Sequence, residues 1–464
     1  MKKIRAAQLF ALASLMTLAA AARAQDRPDQ QQNRQIILRL HGSSTIGAAL
    51  APDLAKAFLQ KMGADSVRQT DVSAGTETDI EGYFAADKQT KVIEIKAHGS
   101  STGFKGLQEG QCDIAMSSRK IKGSEADSLA FLGDMTSSAS EHVLGIDGVA
   151  VIVNAGNAAV SKLSFAALGD IFSGKITSWS EVSWNDAPVS IQARDENSGT
   201  HDTFKSIVLG KKELSKTALR YDSNLKLSEA VSADAHAIGY CSLPYVRGNK
   251  ALAVSDSGAA VLPTLFTVAT EDYPLSRRLY LYAPAHSENR WIEEFISFAL
   301  EDKAGQLLVK KHNFVDLIVS AAAHRVNIAP GSTQNMERLG HYLAKVRGAK
   351  RLSANLRFKG ETFELDNKAL QDLKRIAAFL HENKTQEIML AGFSDRSGEG
   401  QIGLGDSDAD AERSCKQAEA VRNELAVHDV SVSELLCVGS EVPVASNMTQ
   451  TGREKNRRVE VWIR

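Results

Sequence analysis

The chain has 464 residues, with 55 basic and 56 acidic side chains and a formal net charge of -1. Near-neutrality excludes a protein built to hold nucleic acid or an anionic membrane surface. With 43% hydrophobic and 24% charged residues, wholesale disorder is excluded too. At roughly 100–200 residues per domain, the length predicts two or three domains.

The N-terminus reads as an export signal. Met1-Lys2-Lys3-Ile4-Arg5 is a basic head, Ala6 to Ala22 is uncharged and mostly apolar, and Ala22-Arg23-Ala24 supplies the small residues of a cleavage site before Gln25. A membrane anchor is the competing reading. Ala, Ser and Thr dilute the run and no stop-transfer charges follow, so residues 1–24 are taken as the signal and 25–35 as a tail. No later apolar stretch approaches the ~18–20 residues needed to span a bilayer. The mature chain is therefore expected in the periplasm or outside the cell, without a membrane span. In that oxidising compartment Cys112, Cys241, Cys415 and Cys437 can form disulfides, with three possible connectivities. Cys415 with Cys437 is the expected pair, because both lie in one compact segment.

From Ile36 onward, short apolar runs alternate with helical patterns. Ile36-Ile37-Leu38-Arg39-Leu40 predicts a buried strand, followed by a Gly/Ser/Thr turn and a helix with Leu50, Leu54, Ala57 and Phe58 on one face. Val92 to Ile95, Asp113 to Met116 and Gly148 to Val153 predict further strands. The alternation implies an α/β module with a largely parallel sheet over residues 36–318, long enough to split into two lobes about a cleft. Residues 319–347 read as a helical linker. In 348–464, strand patterns at Leu352 to Phe358, Ile388 to Gly392, Leu435 to Val438 and Arg458 to Ile463 alternate with two helices, giving a small βαβαβ-type domain.

Two strand-to-helix turns, Gly42-Ser43-Ser44-Thr45-Ile46-Gly47 and Gly99-Ser100-Ser101-Thr102-Gly103, offer hydroxyls and free amides where a helix dipole favours an anion. Arg194-Asp195-Glu196-Asn197-Ser198-Gly199-Thr200 adds a guanidinium, which pairs with oxyanions in a bidentate way. Any one such turn is an ordinary helix cap. Three with an arginine predict a cleft for a small tetrahedral oxyanion. These turns, with Asp113 to Arg119, Ile171 to Trp179, Ala237-Ile238-Gly239-Tyr240 and Asn313 to Leu317, resemble the phosphate-binding proteins of ABC importers. The resemblance implies a two-lobed type II periplasmic-binding (Venus-flytrap) fold closing over inorganic phosphate. It also implies anion contacts from Thr45, the Ile46 amide, Ser101, Arg194, Ser198, the Gly199 amide and Thr200. Several members carry a carboxylate where this chain has Ser118, so a related oxyanion such as sulfate stays open as the ligand.

Gly99 to Gly103 also fits a G-x-S-x-G nucleophile elbow, which makes Ser101 the nucleophile of an alternative serine hydrolase, with His201, His236 or His286 as its base.

In the second module, Gly392 to Gly398, Ala418-Glu419-Ala420-Val421, Pro443 to Asn447 and Gly452 to Glu460 resemble the OmpA-like C-terminal domain. That resemblance implies non-covalent binding to the peptidoglycan stem peptide, whose diaminopimelate presents an ammonium and a carboxylate to a facing aspartate and arginine. Asp395 matches the aspartate. Gln417 stands where the family has its arginine, and Arg413, one helical turn earlier on the same face, can take its place. Gly398 to Gly403 fits G-x-G-x-x-G outside any dinucleotide-binding unit, and Asp406, Asp408 and Asp410 imitate a calcium loop without its glycine and glutamate. Neither a metal nor another cofactor is called for. The combined reading is a non-enzymatic, wall-held phosphate or oxyanion binder, near the outer membrane only through the wall. It serves either an ABC permease or, as the alternative, sensing or adhesion.

Overall fold

A computed structural model describes residues 33–464 except 74, 257–258, 327, 329–334, 385–386 and 397–406. The export signal, the G-x-G-x-x-G segment and Asp406 lie outside the described residues.

The first module holds the four expected strands, yet its sheet is mixed rather than largely parallel. Arg34–Gly42 pairs parallel with Gln89–Lys96 and Ile114–Ser117, and Ser190–Arg194 pairs parallel with Ala237–Ser242 and Leu219–Tyr221. The hairpin Ser66–Ser73 and Glu77–Phe84 adds antiparallel strands at one edge. Its outer strand is polar on both faces and mostly exposed, so it lacks the alternation that marks a half-buried strand.

The strand Glu141–Val153 joins the lobes. Glu141 to Gly148 pairs with the antiparallel strand Ser276–Tyr282, and Val149 to Val153 pairs with Ala237–Ser242. The strand passes from one core to another, with Leu144 in the first and Ile146 already in the second. One contains Leu38, Leu40, Leu54, Phe58 and Phe295, and the other Val151, Leu168, Phe172, Phe204 and Tyr240. Chain entering and leaving the second lobe therefore crosses side by side, at Gly148 and at Tyr273 to Ser276. A two-lobed binding fold needs this hinge.

The second module is a five-stranded sheet in the order Ala321–Ala323, Lys350–Arg357, Arg458–Ile463, Ile388–Phe393, Glu434–Gly439. Asp366 caps the helix Asn367–Glu382 by accepting from the Ala369 amide at 2.8 Å. Leu373, Ile376, Leu380, Ala418, Val421 and Leu425 cover one sheet face. The segment expected as a linker is built into this domain. Ala321–Ala323 is its edge strand, and helix Met336–Val346 buries Leu339, Tyr342 and Val346 against Met389, Ala391 and Trp462 on the other face. Ile388 to Phe393 is buried throughout, and a strand apolar on both sides needs cover on both.

Cys415 and Cys437 form a disulfide joining helix Ser407–Val427 to strand Glu434–Gly439, while Cys112 and Cys241 are buried free thiols in different lobes. Among the described residues no helix is long and apolar enough to cross a membrane. The disulfide closes a loop of 22 residues. Replacing Cys437 by Ser is expected to destabilise the second domain by about 3 kcal/mol. Denaturant unfolding of the variant, and of the wild type with and without reductant, measures this, and equal midpoints in all three would contradict it.

Candidate functional site

Two lobes built on strand ends bring their turns together where the chain crosses. From the first lobe come Ser44 and Thr45 in the short helix Ser44–Gly47, Ser100 at the start of helix Ser100–Gln108, and Ser118 after strand Ile114–Ser117. From the second come Arg194 at the end of its strand and helix Gly199–Phe204, capped by Ser198, whose hydroxyl accepts from the Thr200 and His201 amides at 3.2 and 3.4 Å. Thr45, Ile46, Ser118, Arg194, Ser198 and Thr200 are all buried, and Gly199 with them.

The lobes touch across the cleft. Arg194 Nη2 donates to Ser44 Oγ at 3.1 Å, Asn224 Nδ2 donates to Thr45 Oγ1 at 3.3 Å, and the Thr45 and Thr200 hydroxyls are 3.4 Å apart. A Cβ at Gly199 would come within 2.5 Å of the Ser100 and Ser118 hydroxyls, so a side chain there would displace both. Ser118 donates its amide to Ser100 Oγ at 3.1 Å, and the two hydroxyls are 3.4 Å apart. Ser100 and not Ser101 thus reaches the cluster. Ser101 Oγ instead accepts from Arg119 Nη2 at 3.0 Å, outside it.

Sequence reasoning missed Arg277. Its guanidinium is buried and donates through Nε and Nη2 to Asp147 Oδ2 at 3.0 and 2.8 Å. Nη2 also reaches Thr200 Oγ1 at 2.8 Å and Thr45 Oγ1 at 3.3 Å. Its Nη1 has no hydrogen-bond partner, and neither has the buried Ser43 hydroxyl. Asp147 is further engaged by Ser242 Oγ at 2.7 Å and the Leu243 amide at 3.1 Å. Arg194 hydrogen-bonds to Asn224, Ser44 and the carbonyls of Tyr221 and Asp222, with no carboxylate among these partners. Burial and then, among other charges, the neighbouring Arg277 push its pKa below the ordinary arginine value. The cleft therefore brings two guanidinium groups, with Asp147 hydrogen-bonded to one and Asp195 near the other, amid hydroxyls and helix-start amides, an arrangement that suits an anion.

Arg119 closes the rim. It forms a two-point ion pair with Glu125 at 2.7 Å and reaches Asp202 of the opposite lobe at 2.7 Å. Of the histidines considered as bases, His201 lies 2.8 Å from the Tyr240 hydroxyl, His236 packs by Trp184 and His286 is exposed; none has a hydrogen bond to Ser101.

In the second domain Asp395 is buried and accepts from Arg457 Nη1 at 2.9 Å and from the half-exposed Arg413 Nη1 at 3.3 Å. Arg413 and Asp395 thus face each other, whereas Gln417 is buried with its Oε1 unpartnered. Arg457, which the sequence did not single out, is the closer partner. Asp408 pairs with Arg338 at 2.9 Å and Asp410 accepts from Ser440 at 2.7 Å, and the described residues contain no metal-binding cluster.

A two-lobed binding fold closing on a cationic, hydroxyl-lined cleft defines the class, and comparison with known proteins gives the family. The model described as PBP superfamily domain matches residues 39–303, and the OmpA family model matches 357–457. The chain is 31% identical over 229 residues to "Phosphate-binding protein PstS" of Staphylococcus epidermidis, covering 47% of this chain and 69% of that protein. It is 32% identical to its namesake in Staphylococcus aureus, covering 47% and 68%. Similar solved structures include a putative phosphate ABC transporter substrate-binding protein with bound phosphate from Clostridium perfringens, at 29% identity and TM-score 0.47, covering 61% of this chain and 99% of that one. An ABC-type phosphate transport receptor from Vibrio cholerae matches at 25% identity and TM-score 0.46, covering 60% and 99%. The chain belongs to the PstS family within the periplasmic-binding superfamily and carries a C-terminal OmpA family domain.

The buried His201 beside the cleft supplies a pH test. Burial first, then the Arg220 charge, push its pKa from 6.5 to about 4. The unfolded chain therefore takes up this proton before the folded one does. Stability is fully present above pH 6.5 and declines by up to about 3 kcal/mol as pH falls towards 4. Denaturation midpoints measured across this range should fall less steeply for His201→Gln than for the wild type. Identical slopes would contradict the assignment.

Proposed function

We propose that this protein binds phosphate outside the cytoplasm while its OmpA family domain holds it non-covalently on peptidoglycan. The observation that carries the first half is the pair Arg194 and Arg277, buried among Ser44, Thr45, Ser100, Ser118 and Thr200 with Asp147 as the one carboxylate hydrogen-bonded to the pair. Relatives named as phosphate-binding proteins support inorganic phosphate as the ligand. No carboxylate stands at Ser118 to accept a proton from hydrogen phosphate, so sulfate is expected to compete more than it would against a carboxylate.

The second half rests on Asp395 with Arg413, an anion and a cation that can meet the ammonium and carboxylate carried on one carbon of the stem peptide. A wall-held receptor serves a sensor or scavenger as well as a transport receptor handing phosphate to an ABC permease. Phosphate binding itself is common to both.

One sedimentation experiment tests both halves. The mature protein is spun with purified sacculi in radiolabelled phosphate. Protein and label are expected in the pellet together, while Arg413→Glu and Asp395→Asn should leave both in the supernatant with the phosphate still bound to protein. Pelleting of the variants would contradict the wall contact, and protein without label would contradict the phosphate site.

A further inference from the structure

The two domains enclose a groove of about 930 Å³ beside the cleft. It is many times larger than a single tetrahedral anion requires, and it falls within the roughly 300–1,000 Å³ of sites that take drug-sized ligands. Its cations come from both sides: Lys120, Lys122 and Lys205 from the flytrap, Arg357, Lys359 and Lys455 from the second domain.

The carboxylates lining the groove are largely engaged within the protein. Glu271 binds Arg278 at 2.7 Å and Arg357 at 2.5 Å, Asp366 binds Arg278 at 2.7 Å, and Asp202 binds Arg119 at 2.7 Å. Glu141 accepts from Tyr282 and Asn367. Lys122 pairs with Asp202 at 3.1 Å, whereas two other exposed lysines are less committed. Lys205 and Lys359 stand 3.8 and 4.0 Å from their nearest carboxylates, at the limit of an ion pair.

A second observation points to a ligand independently. Arg357 is only 6% exposed, and its Nη2 has no hydrogen-bond partner, while its other nitrogens donate to Glu271 and to the carbonyls of Glu454 and Lys455. The half-buried Lys455 ammonium beside it donates to the Pro274 carbonyl at 2.6 Å. Enclosure first and then the Arg357 charge push its pKa down to about 8. Over the whole lining, basic side chains outnumber carboxylates.

We propose that this inter-domain groove is a second anion site, one that takes a ligand with several linked phosphoryl groups, a short oligophosphate. Spaced cations on two walls suit spaced charges on one molecule, whereas the single phosphate of the cleft would fill a small part of the groove. Arg277 of the cleft also lines the groove, so the two sites adjoin, but the groove's cations stand whichever anion the cleft takes.

The full mature chain, its cleft saturated with inorganic phosphate, is titrated calorimetrically with tripolyphosphate. One binding event per chain is expected, falling steeply with salt. Lys205→Glu and Lys359→Glu, each on the surface and one from each domain, should each weaken it at least tenfold. Inorganic phosphate titrated into the same variants should bind as in the wild type, which separates this site from the cleft. No tripolyphosphate binding, or binding unaltered by both reversals, would overturn the inference.

Discussion

Two guanidinium groups buried where the chain crosses between lobes are the constraint on which the rest depends. Arg194 rises from the second lobe and donates to Ser44 of the first. Arg277 lies on the returning strand and joins Asp147, Thr45 and Thr200. An uncompensated charge is costly away from water. Asp147 is already held by Ser242 and the Leu243 amide and balances one arginine. An anion between the lobes would offset the second guanidinium, and a ligand that favours one arrangement of the lobes shifts the population towards it.

The same crossing anchors the second domain. Asp272 pairs with Arg351 at 2.7 Å, Glu271 with Arg357, and Asp366 with Arg278, while Lys455 reaches the Pro274 and Ser276 carbonyls. Asn367 hydrogen-bonds to the Thr136 carbonyl of the first lobe and Asp256 of the second accepts from the Ser446 amide. The OmpA family domain is thus fastened to the hinge itself and to both lobes, not hung on a free linker.

Local chemistry was legible in the sequence, and rotation and distance were not. Hydroxyl-rich turns and Arg194 announce an anion cleft because each is a contiguous motif. Arg277 sits in Ser276–Tyr282, which reads as an ordinary strand, and only its position opposite Asp147 makes it part of the site. Ser100 and Ser101 differ by about 100° around a helix start, and sequence cannot say which faces inward. Arg413 could be found because one helical turn separates it from Gln417. Arg457 was hidden next to Arg458, which pairs with Glu460 at 2.9 Å. Leu339, Tyr342 and Val346, at helical spacing, were a readable sign that 319–347 is more than a linker.

If the two buried arginines hold the anion, removing one of their charges must cost affinity. Calorimetric titration of the full mature chain with inorganic phosphate tests it most directly, with Arg277→Gln alongside and thermal unfolding as the check on folding. One phosphate per wild-type chain and at least tenfold weaker binding by the variant are expected, the loss of about one charge-assisted contact. Absence of heat with the wild type, or equal affinity in a folded Arg277→Gln, would contradict it.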